Sequence, residues 1–342
     1  MTRQSQGHLD CIPAPRYADA LQSVVDFVKE HDDWLIVSHE RPDGDAIGSA
    51  LAAAHILTAL GKTWRFVAEG PLPARFNYLP LFSQAYTSIQ AVDRQFQHVL
   101  AVDCADEARF AHARSFIAEG AKIVNVDHHH TNPRYGAAAW VDADAAATCE
   151  LMFHLALALD VELNEPLATC LYTGILTDTG GFAQPNTTRD VHLITARLLA
   201  SGVQPYDIAE PALESRTWPQ MRLLQMALNN LTVSSDGKYA ILYVTQGMLE
   251  GAGCTDDDTE GLVGFTRSID TVEVGALFRE TADGRIKVSL RSKRRVDVSR
   301  IAQMFAGGGH TRAAGCTIVG DLGDAMDAVV EEIERALEAA GA

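Results

Sequence analysis

The sequence predicts an α/β fold: an N-terminal doubly wound, mostly parallel sheet joined by a helical linker to a smaller α/β C-terminal domain. Three observations predict it. Residues 20–130 alternate apolar runs with helical patterns, the order that builds a parallel sheet with helices on its faces. From about residue 238 the apolar residues recur with period two, the mark of half-exposed strands. A chain of 342 residues with 47% hydrophobic content is long for one domain and can fill two cores.

The elements follow in order. WLIVSH (34–39), TWRFVAE (63–69), HVLAVD (98–103) and AKIVNVD (121–127) read as buried strands. AIGSALAAAHILTAL (46–60) lies between the first two, and its alanine content and apolar spacing favour helix. CELMFHLALAL (149–159) and EPLATCLYTGILTD (165–178) continue as helices, the second stopped by Gly180 and Gly181. Residues 189–231 are helical but interrupted by Pro205, Pro211 and Pro219. KYAILYVT, VEVGALFRE and RIKVSLRSK are the period-two strands, and 321–340 forms a closing amphipathic helix. The expected domains are therefore 15–200, a linker at 201–231, and 232–342.

Composition excludes several classes. No stretch of about 18 apolar residues occurs, so no membrane helix is expected. The N-terminus, MTRQSQGHLDCIPAPRY, lacks the apolar core of a secretion signal. Six cysteines are scattered without a CxxC pair, which suits reduced thiols and a cytoplasmic location. The net charge of −17 opposes binding to long duplex nucleic acid. Positive charge is concentrated instead in residues 285–300, which hold seven of the 28 Lys and Arg against a single acid, Asp297. That distribution suits a small anionic ligand.

Chemistry concentrates where apolar segments give way to turns. His39, Asp43 and Asp45 share one compact loop in SHERPDGDAIGS. Asp103 ends a strand in LAVDCAD, and Asp178 ends a helix in GILTDTGGF, where the macrodipole disfavours a carboxylate unless a cation is near. Asp127-His128-His129-His130 places four polar residues in succession after a buried strand, which is costly unless something binds them. Oxygen and imidazole ligands without thiolates suit a hard or borderline divalent ion. There are enough of them for two ions, the usual device for displacement at phosphorus. Asp45 could alternatively serve only as a helix N-cap. Two divalent ions and four aspartates (43, 45, 103, 178) nearly cancel, so a phosphate substrate must be held by cations from elsewhere.

The basic strip supplies them. In RIKVSLRSK one face is apolar and the other presents Arg285, Lys287, Ser289, Arg291 and Lys293. FAGGGHTRAAG (305–315) follows, and its glycines suggest an anion-cradling loop packed at a helix start, with His310 and Arg312 as donors.

The spacing His39-x3-Asp43-x-Asp45, then Asp103, Asp127-His128-His129 and Asp178, resembles the DHH phosphoesterase superfamily. The GGGH segment with the preceding RSK resembles its DHHA1 substrate-binding domain, and the likeness spans roughly residues 20–340. A chain of this size is similar to the nanoRNase and pAp-phosphatase group. The resemblance implies hydrolysis of short oligonucleotides (2–5 nucleotides) to mononucleotides and of 3′-phosphoadenosine 5′-phosphate (pAp). It implies two divalent ions, Mn²⁺ in preference to Mg²⁺ or Co²⁺, and a homodimer. It gives His39, Asp43 and Asp103 to one ion and Asp45, Asp103, His128 and Asp178 to the other, with Asp103 bridging. His129 would contact the reacting phosphate, supported by Asp127. Because His130 extends the run, a register shifted by one, with His129 as ligand, stays open. Arg291, Ser292, Gly308, Gly309 and His310 match the substrate-holding part, with Arg267 in FTRSID as a further candidate. A phosphodiesterase for cyclic dinucleotides or pApA, a RecJ-like single-strand exonuclease and a non-hydrolysing nucleotide sensor are the alternatives.

Overall fold

The structure, a computed structural model, describes residues 14–87 and 94–341. The N-terminal stretch read above as lacking a secretion signal, with Cys11, lies almost wholly outside them. The chain divides into two compact units at Ser215/Arg216.

The first unit contains β1 (Trp34–Val37), β2 (Trp64–Ala68), β3 (Tyr86–Thr87), β4 (Phe96–Val102), β5 (Ile117–Asp127) and β6 (Ala138–Val141). They form one sheet in the order β3-β2-β1-β4-β5-β6, parallel throughout. Its helices are α1 (Ala18–Glu30), α2 (Gly44–Ala59), α3 (Thr148–Ala158), α4 (Glu165–Asp178), α5 (Arg189–Ala200) and α6 (Pro205–Ala209), the last running into a π turn (Glu210–Glu214). β1 and the carboxyl halves of β2, β4 and β5 are buried without alternation because both faces are covered there. Trp34 and Ile36 pack with α2, α3 and α4, while Leu35 and Val37 pack with Phe96, Phe110 and Phe116 on the other side. Along α2 almost every residue is buried, as its small and apolar residues on all sides allow. A Cβ at Gly48 would stand 2.6 Å from the Cys170 carbonyl, so glycine is what lets α2 seat against α4.

The second unit contains α7 (Trp218–Asn229), β7 (Thr232–Val233), β8 (Tyr239–Val244), α8 (Gln246–Ala252), α9 (Leu262–Arg267), β9 (Val274–Glu280), β10 (Arg285–Ser292), α10 (Val298–Met304), β11 (Gly308–His310), β12 (Ala313–Val319) and α11 (Leu322–Ala339). Its sheet runs β11-β12-β10-β9-β8-β7, antiparallel except for the parallel pair β8–β9. The expected alternation of RIKVSLRS holds: Ile286, Val288 and Leu290 are buried under α10 and α11. The opposite face packs against α7, α8 and α9 through Leu242, Val244 and Leu277. Residues 201–231, expected as a helical connection, are helical and shared between the units: Ile208 packs in the first core and Leu223 in the second.

One expectation fails here. The GGGH run does not open a helix; it follows α10 and forms the edge strand β11, paired with β12. The glycines answer to the hairpin instead. Gly309 has φ +141°, and a Cβ there would lie 2.6 Å from the Ala313 carbonyl. Among the described residues no helix is long and apolar enough to cross a membrane.

Candidate metal centre

The site is built at the carboxyl ends of β1, β4 and β5, where the strand order reverses direction, the usual ligand position in an open parallel sheet. His39 lies two residues beyond β1, and its Nδ1–H donates to the Glu40 carbonyl at 2.7 Å. That bond leaves Nε2 as the nitrogen free to ligate an ion, 3.4 Å from Asp103 Oδ2 and 3.9 Å from Asp43 Oδ1. Asp103 follows β4 in the left-handed region (φ +52°), which turns its carboxylate into the cluster. Asp127 ends β5 and accepts both His129 Nδ1–H (2.8 Å) and the Asn132 amide (2.6 Å).

The alternative role for Asp45 falls to its neighbour. Asp43 is the N-cap of α2, accepting the N–H groups of Asp45 and Ala46. Asp45 sits inside the first turn, 1% exposed, and its two oxygens accept the Thr148 and Cys149 N–H groups at the start of α3. α3 has no side-chain cap of its own, so Asp45 provides the anion at its N-terminus. Gly174 permits this: a Cβ there would reach 2.5 Å from Asp45 Oδ1. His128 Nδ1–H donates to the Ala145 carbonyl at 3.3 Å, and Nε2 faces Asp178 Oδ2 (3.3 Å), Asp103 Oδ1 (3.6 Å) and Asp45 Oδ2 (3.9 Å).

Two ligand groups result, His39–Asp43–Asp103 and Asp45–His128–Asp178, each with its ligand atoms within 4.8 Å of one another. Asp103 turns one oxygen toward each. With metal–ligand bonds of about 2.1 Å, ligands of one octahedral or tetrahedral ion stand roughly 3.0–3.5 Å apart, so the shorter of these spacings fit a shared cation. A third combination, Asp103–His128–His129, also closes geometrically. In it His129 Nδ1 lies 3.5 Å from Asp103 Oδ1 and is bonded to Asp127 at 2.8 Å.

Electrostatics agree with cations at this place. Burial, then the Asp103 charge, pushes the Asp45 carboxyl up to about 7. Burial and the charges of Asp45, Asp43 and Asp103 raise Asp178 well above the carboxylate range. Burial also opposes the charged form of Asp103, but the His39 hydrogen bond and the His128 charge outweigh it and hold its pKa below the usual range. For His129 burial works downward, yet the Asp127 bond and the Asp103 charge carry it up to about 9. Burial and the neighbouring carboxylates disfavour the charged forms of Asp45 and Asp178, a cost that divalent charge would relieve.

A stability prediction follows. The carboxyls with raised folded pKa values make the metal-free fold bind more protons than the unfolded chain. Its stability therefore falls as pH rises from about 4 through about 7. His129 acts in the same direction, its contribution being lost as pH rises toward about 9. Mn²⁺ at a hundredfold excess over its Kd should stabilise by about 2.7 kcal/mol. That corresponds to a rise of roughly 5–10 °C in the first unit's melting, larger at pH 8 than at pH 5.5. Thermal melts with Mn²⁺ and with EDTA check this, and equal melting with and without metal at both pH values would count against the site.

In the second unit Arg291, Ala313 and His310 lie in one row across β10, β12 and β11, and Gly275 continues the row on β9. α9 packs on Gly275 and brings Arg267 beside Arg291, whose pKa is lowered by burial and then by the Arg267 charge. Small residues flank Arg291 on both sides; on the Gly275 side α9 takes the room they leave. Ser292 is placed differently. It is fully buried on the opposite face, with its hydroxyl donating to the Val296 carbonyl at 2.7 Å, because the alternation of β10 turns it inward. Gly308 and Gly309 are exposed on the edge strand.

Several contributors escaped the sequence reading. Thr148 and Cys149 hold Asp45, Asn132 holds Asp127, and the Asn186 amide donates to the Ala146 and Asp178 carbonyls at 3.1 Å each. Arg109, whose carbonyl accepts the Glu40 N–H at 2.9 Å, places a positive charge near His39 and His129. Asn132, four residues beyond His128 in a polar turn, was the one with a local signal.

Comparison with known proteins gives a consistent result. The model of the DHH family N-terminal domain matches residues 33–175, and that of the DHHA1 domain matches 236–339. The chain is 35% identical to the bifunctional oligoribonuclease and PAP phosphatase NrnA of Thermus thermophilus, covering 96% of this chain and 98% of that protein. It is 28% identical to the Bacillus subtilis protein of the same name, over 89% and 94%. An exopolyphosphatase-related protein from Bacteroides fragilis has a solved structure that superposes with a TM-score of 0.85 at 26% identity, over 95% and 98%. RecJ from Thermus thermophilus, at 14% identity and a TM-score of 0.54, shares the fold over 56% of its length. On matched domains and on near-full-length relatives alike, this chain belongs to the DHH family with a DHHA1 domain, among its NrnA-type members.

Proposed function

We propose that this protein is a two-ion phosphoesterase that removes mononucleotides from short oligoribonucleotides and dephosphorylates pAp. One observation carries the reading: the buried Asp103 carboxylate completes the His39–Asp43 group with one oxygen and turns the other toward His128 of the Asp45–His128–Asp178 group. The names of the Thermus and Bacillus relatives support the substrate class. The oxygen and imidazole ligand set, without thiolate, favours Mn²⁺ or Mg²⁺.

His39, Asp43 and Asp103 would hold one ion; Asp45, Asp103, His128 and Asp178 the other. When bound, the ions supply Lewis acidity, neutralising phosphate charge and making water acidic enough to serve as nucleophile. The residues of the chain do the remaining work. Asp127 fixes the His129 ring through Nδ1, so Nε2 is the nitrogen left to donate to a phosphate oxygen. Asn132 holds the second oxygen of Asp127 and keeps that pair in place. Arg109 offers a cation beside the same histidine. In the second unit Arg291 and His310 of the strand row, with Arg267 of α9 beside Arg291, hold a part of the nucleotide remote from the ions, its terminal phosphate or base.

Arg291→Ala tests the division of labour. The loss of a charge-assisted contact of about 1.5–3 kcal/mol should lower efficiency on pAp and on 3-mer RNA by on the order of ten- to a hundredfold. Hydrolysis of bis-p-nitrophenyl phosphate, which has no remote phosphate to hold, should change far less, and Mn²⁺ should stay bound. Equal losses on both substrates would place Arg291 at the reaction centre or in the fold. The wild-type protein offered pAp, pApA, a cyclic dinucleotide, 3-mer and 5-mer RNA and DNA, and 24-mer strands tests the function itself. Preferred turnover of 24-mers, or none of any substrate, would overturn it.

A further inference from the structure

The turn 145–149 at the start of α3 bonds Asp45, Asp103 and His128 directly and reaches Asp178 through Asn186, yet supplies no ligand. The Ala145 carbonyl accepts His128 Nδ1–H, and the Ala146 carbonyl accepts the Asn186 amide that also binds the Asp178 carbonyl. The Thr148 and Cys149 N–H groups hold the two oxygens of Asp45 at 2.6 and 2.9 Å. The Thr148 hydroxyl donates to Asp103 Oδ1 at 3.0 Å. Thr148 is fully buried, and this is the side-chain bond it makes.

The hydroxyl is selective. A carboxylate rotates readily about its last torsion, which has no sharp staggered wells. Asp103 cannot, because Thr148 grips Oδ1, the oxygen on the His128 side, and leaves Oδ2 to His39. The same residue holds Asp45 by its backbone and Asp103 by its side chain, fixing two carboxylates relative to each other.

We propose that Thr148 is a positioning residue, whose hydroxyl sets the orientation of the shared Asp103 carboxylate and thereby the affinity of the ion on the His128 side. The inference rests on the two-ion reading above. Outer contacts of this kind are worth about 10- to 100-fold in metal affinity.

The test is calorimetric titration of metal-free protein with Mn²⁺, for wild type, Thr148→Val, Thr148→Ser and Thr148→Ala. Valine keeps the shape and removes the hydroxyl; serine keeps the hydroxyl; alanine removes it and puts no methyl in place of the buried hydroxyl. Valine and alanine variants should lose about tenfold or more in affinity for one of two ions, with the other ion less affected. Their kcat on bis-p-nitrophenyl phosphate should fall with KM little changed, and serine should restore both. Two wild-type-like binding events in the valine and alanine variants would overturn the proposal. So would a serine variant as impaired as valine, since shape and not the hydroxyl would then matter. A wild-type chain that takes up fewer than two ions would overturn the two-ion reading itself, and this proposal with it.

Discussion

Asp103→Asn is expected to abolish measurable turnover and to weaken both ions together. Asp103 Oδ2 faces His39 at 3.4 Å and Oδ1 faces His128 at 3.6 Å, so this residue turns one oxygen toward each ligand group. Asparagine keeps the shape and tolerates the left-handed backbone at this position (φ +52°), so the substitution changes charge with little strain. It removes a negative charge shared by two ions and turns an NH₂ toward one of them. The rate should fall by on the order of a thousandfold or more, beyond the loss of a single transition-state donor. Asp106→Asn is the control three residues away. Asp106 caps a short 3-10 turn by accepting the Ala108 N–H, and asparagine caps as well as aspartate, so metal content and rate should stay near wild type. Metal content per chain and kcat measured on both variants decide the matter. A normal rate for Asp103→Asn would end the two-ion assignment.

Much of the fold was legible because covered strands and alternating strands leave different patterns. WLIV and VLAV carry no polar residue until the chain leaves the sheet, so the first polar residues past the strand, Ser38-His39 and Asp103, mark both its end and the ligand edge. That coincidence is why His39, Asp103 and the Asp127–His128 run could be picked out one at a time. The elements left unread failed for separate reasons. α1 carries Leu21, Val24, Val25 and Val28 at helical spacing, a signal that was present and passed over. β12 begins at Ala313 in AAGC, whose small residues give no strand pattern of their own; pairing with β10 and β11 makes it a strand.

The supports of the site were illegible for a different reason. Thr148 bonds Asp45 across 103 residues of sequence, and the contact exists only because α3 abuts the start of α2 where Gly174 leaves room. No local spacing encodes it. The same packing decides between Asp43 and Asp45 as the cap of α2, two roles that a sequence with aspartates on both sides of Gly44 leaves ambiguous. Ser292 shows the converse error. Adjacent to Arg291 in sequence, it faces the other side of the sheet, since neighbours along a strand point apart.

The histidine run gives the second large expected effect. His128→Ala should lose the ion on its side, because His128 Nε2 lies within 3.3–3.9 Å of Asp178, Asp103 and Asp45 while Nδ1–H is fixed on the Ala145 carbonyl. His129→Ala should keep both ions. Its Nδ1 is held by Asp127 at 2.8 Å, and the ring is oriented by that bond. What it removes is a proton donor to the phosphate, a loss of roughly a hundredfold or more in kcat. His130 is exposed at the turn, and His130→Ala should change either quantity little. Mn²⁺ titration and kcat on the three variants separate the assignments, because one side chain is predicted to move metal and the next to move rate alone. Metal lost in His129→Ala and retained in His128→Ala would shift the register by one, with Asp127 then orienting a ligand and His128 left to face the substrate.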